Sequence, residues 1–205
     1  MKNVVFDFGQ VLVHFEPAEI VGKYVSDADD AELMVNVLFD KLYWDRLDEG
    51  TLTNEDFISA VRERIPPRLW EMADTIYYNW IYNLPEIEGM SELIQYIKEK
   101  FGVSVFLLSN ISRYFAAHSD EFPILRLIDK CIFSAVCGMV KPNTEIYEYL
   151  CAECEIIPDE TVFIDDRTDN IEGARKIGIH GYCFDGDVAK LRTYLEEILN
   201  SDKIG

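Results

Sequence analysis

Basic side chains are scarce in this chain: 19 Lys and Arg stand against 38 Asp and Glu, leaving a formal charge of -19. With no Lys/Arg cluster to track a polyanion backbone, the average surface repels nucleic acid, and no nucleic-acid partner is expected. A phosphorylated small molecule would instead be held by local devices such as backbone N–H groups, a bound cation and one or two basic side chains. Screening over roughly 8 Å at physiological salt keeps distant carboxylates out of that balance. Long apolar runs are also missing. None approaches the roughly 18 residues of a membrane span, and Met1-Lys2-Asn3 leads directly into Val4-Val5-Phe6 without the charged and apolar regions of an export signal. Histidine is rare, and His14, His118 and His180 have no metal-ligand spacing to one another. The five cysteines are an odd set with no disulfide framework. Cys151 and Cys154 have ligand-like spacing but no second pair, so the thiols read as small apolar side chains in a reducing compartment. A cytoplasmic protein without a membrane partner is expected, as a monomer or homodimer. Internal repeats and low-complexity tracts are absent from the sequence.

What the chain does have is apolar content, 49% of 205 residues, enough for a core and a smaller insertion. Short, nearly continuous apolar runs at Val4–Phe8, Val103–Ser109, Cys131–Ser134, Thr161–Asp165 and Gly181–Phe184 predict strands covered on both faces. Helical stretches at Met90–Phe101, Ser112–Ser119, Thr144–Cys154, Asn170–Ile177 and Asp187–Leu199 separate them; Leu93, Ile94 and Ile97 show the spacing of a helix facing a sheet. This alternation predicts an α/β fold with a doubly wound parallel sheet. Residues 17–84 break it. They carry helical pattern, acids and many aromatics, with Pro66-Pro67 ending one helix and starting the next, and Pro85-Glu86-Ile87-Glu88-Gly89 as a return linker. The expected organisation is a core of residues 1–16 and 85–205 with a helical cap, residues 17–84, inserted after the first strand.

Two strand ends deliver carboxylates, Asp7 after the first and Asp165-Asp166 after the fourth, as an open parallel sheet does at its carboxyl edge. Asp7 is a candidate nucleophile toward phosphorus, although an acid there could equally cap a helix. Gly9 would allow close backbone approach and an unusual φ. Gathered together, Asp7, Asp165 and Asp166 would repel one another unless a hard cation such as Mg²⁺ joined them. Their plain alternative is a solvated acidic turn. Ser109 and Asn110 close the second strand where a helix head would offer an anion site, and simple N-capping fits them as well. Lys141, in Val140-Lys141-Pro142, would offer a positive charge to phosphate and to Asp7; a surface turn lysine is the alternative. Asn170 is a hydrogen-bonding support, and Arg113 and Arg167 are further phosphate candidates or surface partners of nearby acids. Together these stations point to metal-assisted phosphoryl chemistry.

Asp7-Phe8-Gly9-Gln10-Val11-Leu12, Leu107-Leu108-Ser109-Asn110, Val140-Lys141-Pro142, and Phe163-Ile164-Asp165-Asp166 with Asn170-Ile171-Glu172-Gly173-Ala174 resemble the four motifs of the haloacid dehalogenase-like hydrolase superfamily. The resemblance covers nearly the whole chain and is to the helical-cap subgroup. From Leu107 onward it is similar to the bacterial alpha-D-glucose-1-phosphate phosphatases, and Trp44 to Gly50 with Phe57 resemble that branch more weakly. It implies a Rossmann-like core and a phosphatase with Asp7 as nucleophile and Lys141 as its catalytic partner. Phosphate or substrate would be contacted by Phe8, Gly9, Ser109, Asn110 and Lys141. Mg²⁺ would be held by Asp7, the Gly9 carbonyl and Asp166, with Asp165 close by. Trp44, Asp45 and Asp48 of the cap are candidate contacts to the leaving group. One departure matters: most phosphatases of the superfamily carry an acid two residues after the nucleophile, and Gly9 stands there. The expected substrate is a small phosphorylated metabolite, such as a sugar 1-phosphate whose anomeric oxygen leaves readily, with His14 or a cap residue as a substitute acid. A 2-haloacid dehalogenase and a catalytically weak binding protein are the alternatives that Gly9 admits.

Overall fold

The computed structural model describes residues 1–201. Five parallel strands form one sheet: β1 (Asn3–Phe6), β2 (Ser104–Ser109), β3 (Lys130–Phe133), β4 (Thr161–Asp165) and β5 (His180–Cys183), in the order β3-β2-β1-β4-β5. The chain winds outward from β1 to β2 and β3, then crosses to the other side for β4 and β5. That reversal leaves a crevice above the carboxyl ends of β1 and β4, the place where doubly wound sheets bind ligands.

The predicted runs became strands because side chains alternate between two covered faces. Val4, Phe6, Val105, Leu107, Val162 and Ile164 face one apolar cluster, which also takes up α6 (Met90–Phe101), α11 (Val188–Ser201) and the helical insertion. Val5, Phe106, Leu108 and Phe163 face the other, filled by α9 (Thr144–Cys154) and α10 (Thr168–Arg175) through Ile146, Tyr147, Leu150, Ile171 and Ala174. In α6, Leu93, Ile94 and Ile97 are buried, as their spacing predicts.

Between β1 and α6 lies the cap: α1 (Pro17–Gly22), α2 (Ala28–Leu38), α3 (Lys41–Asp48), α4 (Asn54–Arg64) and α5 (Trp70–Asn79), with no strand among the described residues of this stretch. Helix α4 ends just before Pro66-Pro67, and a 3₁₀ turn starts at Pro67. The outgoing and returning segments pair with each other: His14 N–H donates to Pro85 O at 2.8 Å, Ile87 N–H to Leu12 O at 2.9 Å, and Val13 bridges Glu86. The cap is therefore tied down at its root by main-chain hydrogen bonds. Two short helices, α7 (Arg113–Ala117) and α8 (Ser134–Cys137), follow β2 and β3.

Element ends depart from the sequence expectation by a residue or two, each for a local reason. β1 stops at Phe6 rather than Phe8 because Leu12 and Val13 N–H both donate to Phe8 O and turn the chain. Ser134 opens α8 instead of closing a strand. The first turn of α7 is capped by Ser112, whose Oγ accepts from Phe115 N–H, so Ser109 and Asn110 are not the helix cap.

Helix α10 lies directly on the segment that carries Lys141. A Cβ at Gly173 would sit 2.4 Å from Pro142 O and 2.9 Å from Tyr147 Cε2, so only glycine permits this approach. Gly173→Ala should therefore destabilise the fold by about 1–3 kcal/mol through overpacking, read as a lower midpoint in chemical denaturation. A midpoint equal to wild type would show that this contact is loose.

Candidate active site

The strand register brings the two carboxylate stations together. Phe6 pairs with Ile164, and Asp7 N–H donates to Ile164 O at 2.9 Å, so the next step in each strand sets Asp7 abreast of Asp165. Lys141 fills the space between them. Its Nζ lies 2.7 Å from Asp7 Oδ1 and 2.8 Å from Asp165 Oδ2, and it donates to Leu108 O at 3.0 Å. An ammonium has three protons, and all three are accounted for. Its side chain is 1% exposed, a depth at which a charge persists only when paired and hydrogen-bonded.

Each partner is itself held. The Asn110 amide clamps the Lys141 backbone in both directions: Nδ2 donates to Lys141 O at 3.0 Å and Oδ1 accepts from Lys141 N–H at 2.9 Å. Asp165 accepts from Lys141 Nζ, from Arg167 N–H at 2.8 Å, and from Asn170 Nδ2 at 3.0 Å on both oxygens. Tyr147 Oη donates to Asn170 O at 2.7 Å. The sequence reading of Asn170 as a support is what the hydrogen bonds show.

Two carboxylates share one ammonium in this buried triad, and the surplus negative charge has a titration signature. Burial pushes the Asp7 carboxyl up to about 7, with Asp165 adding to the rise and Lys141 opposing it. Burial alone would lower the Lys141 ammonium, but Asp7 and Asp165 outweigh it and hold it above its ordinary value. Lys141 thus stays charged, and Asp7, which opens to the cleft, carries a raised proton affinity. Asp166 is also raised, first by burial and then by Asp165.

This surplus suits a cation. Carboxylate oxygens of Asp7, Asp165 and Asp166 all lie within 4.8 Å of one another. Those of Asp165 are already committed to hydrogen bonds, whereas Asp166 lines the cleft beside Asp7 and the Gly9 main chain. Asp7, Asp166 and the Gly9 carbonyl are a small set of hard oxygen donors of the kind Mg²⁺ takes together with waters and a phosphate. The residues fit that ion.

The cleft above the triad has a volume of about 560 Å³ and runs from the sheet edge to the cap. Its floor includes Asp7, Gly9, Ser109, Asn110, Lys141 and Asp166, so the predicted stations converge on one site. Its roof carries Trp44, Asp45 and Asp48 from α3, with Phe15, Phe39 and Trp80 forming an aromatic wall: Phe39 and Trp44 lie 4.9 Å apart by ring centroid, and Trp44 and Trp80 5.4 Å. Asp45 is paired with Lys41 Nζ at 2.8 Å. The Asp48 carboxyl makes no hydrogen bond among the described residues. Burial pushes it up to about 8, with the Asp45 and Asp7 charges adding to the rise and Lys141 and Lys41 opposing it.

Several expectations need correction. Gly9 does not use its conformational freedom: the positive φ in this turn, 57°, belongs to Gln10, and a Cβ at Gly9 would meet only Phe15 Cβ at 3.9 Å. The glycine leaves room in the cleft rather than relieving strain. The Phe8 side chain packs into the core on Phe115, ring centroids 4.7 Å apart, so only its main chain could meet a ligand. The Asn110 side chain is spent on Lys141, which leaves its backbone for an anion. His14 is exposed and borders a separate surface hollow with Asp185 and Asp187, so it is no substitute acid. Arg113 is exposed outside the cleft; Arg167 lines it but pairs with Asp169 at 2.7 Å.

Ser134 was not legible as a site residue. Its Oγ donates to Asp48 O at 2.6 Å and accepts from Ile111 N–H at 2.9 Å, joining cap helix α3 to the loop after β2. Nothing in the sequence near Ser134 signals this, because both partners are remote in the chain. Gln10 was missed too: its amide spans the turn, donating to Glu16 Oε1 at 2.8 Å and accepting from Phe15 N–H at 3.3 Å.

Residues 1–178 match the family model described as haloacid dehalogenase-like hydrolase. Among curated proteins, a D-ribitol-5-phosphate phosphatase of Bacteroides thetaiotaomicron is 28% identical, over 98% of this chain and 100% of its own length. A sesquiterpene phosphatase of Aspergillus oryzae is 27% identical, over 88% of each protein. Among solved structures, a HAD family enzyme from Bacteroides thetaiotaomicron, crystallised with magnesium and inorganic phosphate, superposes with a TM-score of 0.69 at 23% identity. That match covers 93% of this chain and 98% of that one.

The Asp7 titration makes cation binding pH-dependent. A cation binds the ionised carboxylate, so Mg²⁺ affinity should weaken about tenfold per pH unit below 7 and level off above it, with proton release on binding at pH 6. Isothermal titration calorimetry in buffers of different ionisation enthalpy measures both. Equal affinity and no proton release from pH 5.5 to 8 would place Asp7 outside the ligand set.

Proposed function

The chain belongs to the haloacid dehalogenase-like hydrolases, and from that membership we propose a Mg²⁺-dependent phosphatase of small phosphorylated metabolites that works through an aspartyl phosphate on Asp7. The observation that carries this reading is the Asp7–Lys141–Asp165 triad, which presents one carboxylate to an open cleft and pins it with an ammonium. A carboxylate oxygen of Asp7 attacks phosphorus as the ester oxygen leaves, and water then cleaves the acyl phosphate, so one hard displacement becomes two easier ones. Lys141 opposes the rise that burial causes in Asp7, which favours the ionised, attacking form, and it holds the side chain in place through both steps, while Asn110 keeps Lys141 in place. Ser109 and the backbone N–H groups of the Phe8–Gly9 and Asn110 segments face the phosphoryl oxygens. Mg²⁺, when bound by Asp7, Asp166 and the Gly9 carbonyl, supplies charge neutralisation to the phosphoryl group.

The substrate class we favour is a sugar or sugar-alcohol phosphate, sugar 1-phosphates included. Two features support it. The full-length relative acts on a phosphorylated sugar alcohol by its name, and the roof of the cleft sets the carboxyl groups of Asp45 and Asp48 beside the Trp44 ring, groups suited to hydroxyls and to the apolar face of a sugar. Gly9 itself offers no proton to the leaving oxygen, a loss of about 10²–10⁴ for an ordinary alcohol and a smaller one for an anomeric oxygen. The paired Asp165-Asp166 favours metal-assisted phosphoryl transfer over displacement of halide from carbon. Five free thiols, among them Cys131 and Cys154 with thiols pushed up to about 11 by burial, fit a reducing, cytoplasmic setting.

In a phosphate-release screen over sugar, sugar-alcohol and aryl phosphates, wild-type protein should turn over with Mg²⁺ and stop with EDTA. Asp7→Asn should abolish release without unfolding, and Lys141→Ala should lose about 10²–10³-fold or more. Turnover that survives chelation, or survives loss of Asp7, would refute the mechanism.

A further inference from the structure

On the phosphatase reading above, one task is still unassigned: the leaving oxygen of an ordinary alcohol needs a proton, and the position two residues after the nucleophile has no side chain to give one. We propose that Asp48, delivered by the cap, is the proton donor to the leaving oxygen and afterwards the base that activates water. It would be a catalytic residue borne on a different element from the nucleophile.

Geometry narrows the choice to this residue. The gap at Gly9 is open cleft, since a built Cβ there meets nothing nearer than Phe15 Cβ at 3.9 Å. Among the other titratable groups lining the cleft, each has a different commitment. Lys141 is spent on three acceptors, Asp45 is paired with Lys41, and Arg167 with Asp169. Glu49 is solvent-exposed and accepts from Thr51 Oγ1 at 3.4 Å, and Asp166 belongs to the carboxylate cluster. Asp48 is partly buried, lines the cleft, and lacks a hydrogen-bond partner among the described residues.

Its backbone is fixed to the core. Ser134 Oγ links Asp48 O to Ile111 N–H, just after Ser109 and Asn110. Two residues on, Gly50 has a φ of 71° and lies so close to α8 that a Cβ would fall 2.5 Å from Ala135 O. The end of α3 is thus clamped to the same loops that carry the phosphate-facing groups. A proton donor needs this fixity, because its oxygen must lie within hydrogen-bond reach of the departing atom.

The carboxyl is also in the right state. Four charged groups act on it: Asp45 and Lys41 on its own helix, Asp7 after β1 and Lys141 after α8. Burial first, then the two acids, keep it protonated near pH 7, with the two lysines opposing. In the first step the O–P bond to Asp7 forms, the P–O bond to the alcohol breaks, and the Asp48 proton passes to the alcohol oxygen, which leaves as ROH. In the second, the Asp48 carboxylate takes a proton from water as the water oxygen bonds to phosphorus. Asp7 departs as carboxylate, inorganic phosphate is released, and Asp48 is again protonated.

The test is the dependence of Asp48→Asn on the leaving group. For a primary alkyl ester such as a sugar 6-phosphate, kcat/KM should fall about 10²–10⁴-fold. For 4-nitrophenyl phosphate, whose leaving group needs no proton, kcat/KM should fall by a far smaller factor than for the alkyl ester, and the aryl turnover that is kept shows that the variant folds. Acid quenching during turnover of the aryl ester should trap more phosphoenzyme in the variant than in wild type, because water loses its base. Gly9→Asp placed in Asp48→Asn should restore alkyl-ester turnover by about tenfold or more. Equal losses on both esters, or no extra phosphoenzyme, would overturn the role of Asp48 alone. Failure of the wild type to release phosphate from any ester would remove the phosphatase reading itself, and this inference with it.

Discussion

A single ammonium placed between two buried carboxylates is the constraint around which the rest of the site is arranged. Burying ions costs several kcal/mol each unless their remaining protons and lone pairs are satisfied, so Lys141 and Asp165 had to be enclosed in a complete set of hydrogen bonds. Leu108 O, the Asn110 amide, Asn170 Nδ2 and Arg167 N–H supply it. These partners come from two stretches of chain, 108–110 and 167–170, and the triad adds Asp7 and Lys141 from two more. Every stretch therefore has to be in register for the charge balance to close, and strand pairing achieves that before any side chain is considered. Asp7 is the carboxylate left with an open side.

The same triad explains the division of labour in the cleft. Its floor holds fixed, buried charge where electrostatic preorganisation is effective. The roof belongs to the cap, whose helices share one apolar cluster with the sheet face below. Main-chain pairing of the two connecting segments and the Ser134 hydroxyl hold that roof over the floor. On the proposed reading, a carboxyl placed there reaches the leaving group and not the phosphoryl group. On that reading an acid on α3 takes over the work that the Gly9 position does in most phosphatases of the superfamily.

Much of this was legible residue by residue. Continuous apolar runs ending in Asp7, Ser109 and Asp165 could only be strands of a two-face-covered sheet, and parallel strands place their carboxyl ends together. Lys141 was singled out as a charge beside a proline, yet its burial could not be read from its neighbours. The side-chain directions of Phe8 and Asn110 and the φ of Gly9 are not legible for one reason: sequence spacing tells which residues reach an edge but not which way a side chain turns after the strand has stopped. Phe8 turned into the core, Asn110 turned to the Lys141 backbone, and the left-handed residue was Gln10.

The chemistry of the floor was fixed by local sequence, because apolar alternation sets strand faces and strand ends set which polar side chains meet at the sheet edge. Acidic composition, the order of the four stations and the helical character of residues 17–84 belong to the same category. Tertiary structure alone decided that Lys141 is fully spent, that His14 borders a separate hollow, and that Asp48 lines the same cleft as Asp7 on a helix clamped by Ser134. Those outcomes depend on contacts between residues far apart in the chain, 23 and 86 positions for the Ser134 bonds and 33 for Lys141 to Leu108, and separations of that size leave no periodic trace in a sequence.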